Sequence, residues 1–98
     1  MRFFDADAVD ATLTFPVLVD ALEAAHRRPP IVIADTMIGD EQSMYFVRNA
    51  VDPGRFAASQ LVTSIPANAY RGDLPAVQAV VVVFDADGRP VAAMLRPA

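Results

Sequence analysis

The sequence predicts an α+β domain: a mostly antiparallel sheet of about five to six strands with two N-terminal helices, the sheet extended or covered across a homodimer. Three observations carry this. Two β-branched apolar runs, residues 61–65 and 77–84, are bounded by turn formers, the pattern of buried strands. Helical spacing of apolar residues is confined to the N-terminal quarter, up to His26. And 54% of the 98 residues are hydrophobic, more than so short a chain can enclose alone, so a second subunit is expected to cover the surplus.

Taken in order, residues 1–4 are short and apolar and form an edge strand. Asp5 is placed to cap a helix from residue 6 to about 13, its carboxylate accepting free backbone N–H groups. Thr14 caps a second helix, with Pro16 in the first turn, where its missing donor costs nothing. Phe15, Leu18, Leu22 and Ala25 make the stripe expected to be buried, with Asp20, Glu23 and Arg27 largely off it. His26, Arg27 and Arg28 suit the negative end of the helix dipole, and Pro29-Pro30 stops the helix.

Residues 31–36 read as a strand with Ile31, Ile33 and Asp35 on one face and Val32, Ala34 and Thr36 on the other. After a turn at Gly39-Asp40, residues 43–48 set Met44, Phe46 and Arg48 against Tyr45 and Val47. Asp52-Pro53-Gly54 is a second turn. Strands 56–65, 76–84 and 90–95 follow, the first two separated by the loop 66–75 and the last two joined as a hairpin through Asp85-Ala86-Asp87-Gly88. Val80 to Val83 lack polar alternation. Such a strand is covered on both faces or adds to a partner's sheet, because left bare it invites aggregation.

The net charge is −4, every cation is an arginine, and the arginines are scattered from Arg2 to Arg96. Without a basic stripe, nucleic acid is not an expected partner. Without lysine there is no Schiff-base chemistry. Without cysteine there is no disulfide, thiolate nucleophile or thiolate metal site, and no metal is expected. Asp5, Asp7 and Asp10 stand where a signal peptide would be basic and then apolar. No apolar run has the length of a membrane span, so no membrane partner is expected and a cytoplasmic location follows by default.

The order of residues also resembles a known family. Arg2-Phe3-Phe4-Asp5-Ala6-Asp7-Ala8-Val9, the helix 15–26, Leu61-Val62-Thr63, Pro66, Asn68, Gly72, Pro75, Val77, and Phe84-Asp85 through Gly88-Arg89-Pro90-Val91-Ala92 are similar to the N-terminal domain of the ornithine cyclodeaminase/mu-crystallin family. The resemblance covers nearly all of this chain and about the first third of a typical member. It implies a domain that holds part of a substrate site and forms a dimer, followed in full-length members by a Rossmann domain with the NAD(P) site. Members act on amino acids or cyclic imines, and mu-crystallin relatives are ketimine reductases that can also bind thyroid hormone. Here no Gly-x-Gly-x-x-Gly motif occurs and no room remains for a βαβ unit. The expectation is one domain over residues 1–98, with no cofactor.

Two departures matter. Where the family usually has an arginine that clamps the substrate carboxylate, this chain has Ile31. Where it has a lysine before Leu-Val-Thr, this chain has Gln60. Losing both cations removes charge-assisted bonds worth roughly 1.5–3 kcal/mol each. That points to a small, largely neutral ligand.

Candidate catalytic residues are Asp35, Tyr45 and Gln60. Asp35 ends an apolar strand, where burial would raise its pKa and make it a general base; capping of the Gly39-Asp40 turn is the plainer role. The Tyr45 phenol can donate a proton or simply pack. The Gln60 amide can orient a polar ligand or simply sit on its strand. Arg48 and Asn68 are candidate ligand-binding residues, against a solvated strand-end charge and a structural loop residue. His26 reads as a solvated helix end. Asp85 and Asp87 read as turn chemistry, their loop being too short for a calcium ligand set. The expected activity is small-molecule binding, extending to a cofactor-independent cyclase or isomerase of specialised metabolism. A non-catalytic dimerisation module, or a fragment of an NAD-dependent cyclodeaminase or ketimine reductase, is the alternative.

Overall fold

The computed structural model describes residues 1–96. Strand β1 (Arg2–Phe4) leads into helices α1 (Ala6–Thr12) and α2 (Phe15–His26). Strands β2 (Val32–Gly39), β3 (Met44–Asp52) and β4 (Phe56–Ser64) follow, then the short helix α3 (Asn68–Arg71), and strands β5 (Val77–Asp85) and β6 (Pro90–Arg96). All six strands join one sheet in the order β1-β6-β5-β4-β3-β2. Every pairing is antiparallel except that of β1 with β6. The α+β class, the two N-terminal helices and the mostly antiparallel sheet agree with the sequence.

Local chemistry explains the boundaries. The Asp5 carboxylate accepts the Ala8 N–H at 2.8 Å and caps α1. Thr14 is the N-cap of α2 with Pro16 just inside, although its hydroxyl makes no capping bond. In the β2–β3 turn, Asp40 Oδ1 accepts the Gln42 and Ser43 N–H groups. The loop of β5–β6 closes in the same way, with Asp85 Oδ1 accepting from the Asp87 and Arg89 N–H groups and Arg89 Nε donating to Asp85 Oδ2 at 3.1 Å. Asp85 and Asp87 thus serve the turn. β2 and β3 each run further than the sequence pattern marked, to Gly39 and Asp52. The hairpin ladder carries them past the last clear alternation.

Packing departs from expectation at α2. Helix α1 lies on β1 and β6, closing a small apolar hollow with Phe4, Val9, Leu13 and Met94. Helix α2 packs on no other element. Its stripe, expected to be buried, is open: Phe15 is 79% and Leu22 51% exposed. Among the described residues, buried positions reduce to Ala93 and Asn68. The run Val80 to Val83 is half-buried by its strand neighbours and covered by no second layer.

Two sizes quantify this. The radius of gyration is 15.2 Å, against about 12.5 Å for a compact chain of this length. The accessible surface is 7264 Å², where mass scaling gives roughly 5,400 Å². The surplus of about 1,800 Å² is in the range one partner loses at an obligate interface.

One glycine is demanded by close approach. Gly39 has φ +107°, and a Cβ there would run into the Ser43 carbonyl oxygen. Gly54, φ +78°, has open space. Gly39→Ala is therefore expected to cost at least about 3 kcal/mol and Gly54→Ala about 1 kcal/mol, read as urea midpoints; equal losses would contradict the close contact. Amide hydrogen exchange is expected to be fast along α2 and slow in β3, β4 and β5.

Candidate functional site

Strand register sorts the side chains onto two unlike faces. In an antiparallel sheet, directly paired residues share a face. Asp35 pairs with Arg48, Arg48 with Gln60, Gln60 with Val81, and Val81 with Met94. Met94 in turn meets Phe4 under α1. One transverse row thus runs from an ion pair at the β2 edge, through an amide, to apolar side chains beneath the helix. Met37, Phe46, Ala58 and Val62 flank it on the same face.

The ion pair is bidentate. Arg48 Nε donates to Asp35 Oδ1 at 3.0 Å, and Nη2 donates to Oδ2 at 2.9 Å. The guanidinium also lies over the Phe46 ring, 5.7 Å from its centre. This corrects the expectation for Asp35. Hydrogen bonding to Arg48 holds its carboxyl below the usual range, outweighing the opposing effect of desolvation, and Arg48 is raised in return. Turn capping falls to Asp40 instead. Gln60, half-buried at mid-row, takes no part in the side-chain hydrogen bonds of the described residues.

Tyr45 pairs with Thr63 and Ile38, which places it on the opposite face. Asp35 and Gln60 are therefore brought together, and Tyr45 is not brought to them. Asn68 belongs to neither face. It is 3% exposed, its Nδ2 donates to the Pro75 carbonyl at 3.1 Å, and its Oδ1 accepts from Arg71. Its side chain ties down the loop between β4 and β5. Gly72 ends α3 in the left-handed region.

The far face carries no charge among its described side chains. Val32, Thr36, Tyr45, Val47, Leu61, Val80, Val82 and Phe84 are typical of it. It also carries a hydrogen-bonded pair that sequence reasoning missed: Ser59 Oγ donates to Asn49 Oδ1 at 2.7 Å, in an open hollow walled by Val32, Ala34, Val51, Ala57 and Phe84. Counting outward from the turns would have matched both Asn49 with Ser59 and Asp35 with Arg48, since short hairpin loops fix register. No cluster of three metal-ligating side chains occurs among the described residues. Among them, no helix is long and apolar enough to cross a membrane.

No protein-family profile matches the chain, and no curated protein does. Among solved structures, a lysine cyclodeaminase, studied for its recognition of L-lysine, L-ornithine and L-2,4-diamino butyric acid, has the same fold over 97% of this chain, with a TM-score of 0.68 at 18% identity. This chain spans 33% of that protein's length. The fold implied by the cyclodeaminase resemblance is therefore the fold found.

The ion pair fixes a pH dependence. A carboxyl lowered on folding contributes stability that is complete above its unfolded pKa and is lost as pH falls through its folded one. Asp35 and Asp85 are both lowered. Asp35→Asn is expected to melt below wild type at neutral pH, with the gap closing in acid. In Arg48→Ala, NMR titration should return Asp35 towards its ordinary 3.8; an unmoved Asp35 would show that the pair does not hold in solution.

Proposed function

We propose that this chain is a ligand-binding domain of cyclodeaminase-like fold, and that its ligand is a small, largely neutral organic molecule lying over Gln60. The observation that supports it is the row Asp35–Arg48–Gln60–Val81–Met94. Its one cation is already matched by its one anion. A ligand carboxylate would have to displace Asp35 from a two-pronged contact before reaching Arg48. The Gln60 amide offers both a donor and an acceptor, with apolar side chains around it for a ligand body.

Chemistry on this face would be limited. An amide transfers no proton, and Tyr45 is on the other side of the sheet. A cofactor-independent cyclase or isomerase would work by shaping its ligand, with the Asp35 carboxylate as the nearest proton acceptor, weakened as a base by Arg48. Binding is accordingly the leading role. The surplus accessible surface favours a second reading, an assembly module that self-associates and hides its uncharged face.

The test is an NMR screen that compares neutral cyclic amides such as 2-pyrrolidinone with L-lysine, L-ornithine and NAD(H). Neutral amides are expected to shift the Gln60 side-chain signals, and Gln60→Ala to weaken them about tenfold. Binding of the diamino acids in preference, or tight binding of NAD(H), would overturn the proposal.

A further inference from the structure

The uncharged face is not uniform along its strands. One transverse row is Thr36, Val47, Leu61 and Val80. One step towards the β3–β4 turn the row becomes Ala34, Asn49, Ser59 and Val82, and the next is Val32, Val51, Ala57 and Phe84. Small or polar residues thus stand together where the neighbouring row is mostly branched and apolar. Alanine and asparagine are poor strand formers, so sheet stability does not call for them here. What they leave is room: an open hollow of about 290 Å³ between the larger Val32, Val51 and Phe84.

The polar pair in this hollow is half spent. The Ser59 hydroxyl gives its one proton to Asn49 Oδ1 at 2.7 Å. The two hydrogens of Asn49 Nδ2 and the lone pairs of Ser59 Oγ are left over. Neither side chain makes a second hydrogen bond among the described residues. Because Oδ1 and Nδ2 belong to one amide, a free donor and a free acceptor stand close together, within the span of a single hydroxyl. A charged ligand is disfavoured. Arg48 and Asp35 are on the other side of the sheet, and a charge taken out of water without a partner is costly.

We propose that this hollow is a second binding site, for a small uncharged alcohol. The ligand hydroxyl accepts from Asn49 Nδ2 and donates to Ser59 Oγ, and the Ser59 proton on Asn49 Oδ1 completes a ring of three hydrogen bonds. The hydrocarbon body of the ligand lies against Val32, Val51 and Phe84. The site is independent of Gln60, which pairs with Arg48 and Val81 on the opposite face, and it requires the uncharged face to be open to solvent.

An NMR titration of the side-chain amides with cyclohexanol, cyclohexyl methyl ether and cyclohexanecarboxylate separates these contributions. Cyclohexanol is expected to shift the Asn49 amide with an affinity on the order of millimolar. The ether, which has no proton to donate, is expected to bind about tenfold more weakly, and the carboxylate more weakly still. Ser59→Ala is expected to bring cyclohexanol down to the level of the ether. Ala57→Leu fills the hollow and leaves the polar pair in place; it is expected to abolish binding. Equal binding of alcohol and ether would overturn the proposal, as would undiminished binding by Ala57→Leu or an Asn49 amide that never moves. The Gln60 amide reports the opposite face separately, so either site can fail while the other stands.

Discussion

Backbone pairing through β3, β4 and β5 is what the molecule depends on, because side-chain burial supplies so little. These three strands run nine residues each in unbroken mutual register. In most α+β domains a sheet gains its stability by laying one face on a helical layer. Here α1 covers one corner and α2 covers nothing. What remains is a hydrogen-bonded plate whose neighbouring side chains half-shield one another. Such a plate is marginal by itself.

The same ladder makes the site. Asp35, Arg48, Gln60 and Val81 come from four strands, and no two of them are close in sequence. They form a row because three turns set three registers. A slip of one residue at any turn would send one member to the other side. Asp40, which tightens the β2–β3 turn, therefore acts on the site at a distance, by holding the register that sets Asp35 opposite Arg48.

The strands, the two N-terminal helices and most turns are legible because each rests on local chemistry: a carboxylate before a helix, a proline in its first turn, β-branched runs between glycine and aspartate; the short α3 lies within what reads as the loop 66–75. The ion pair is not legible from residue type, although Asp35 and Arg48 each stand out, because a cross-strand partner is set by counting. Reading Asp35 as a buried base failed for the same reason: the strand looked apolar, but its neighbour across the ladder is a guanidinium. The stripe of α2 is apolar, as its spacing predicts, and exposed, where the spacing predicts burial. Periodicity shows which side of a helix seeks cover, and it carries no information on whether the same chain provides that cover.

The pairing of β1 with β6 joins residues near the two ends of the described chain, Arg2 with Ala92 and Phe4 with Met94. As the polypeptide leaves the ribosome, β1 and the helix that roofs it have no seat until the segment through Arg96 has emerged. The β2–β3 hairpin, by contrast, can close as soon as it is made. The pairing partners thus become available from the β2 edge inward, and those of Phe4 and Val9 come last, a separation of the kind that makes long-range contacts slow to form.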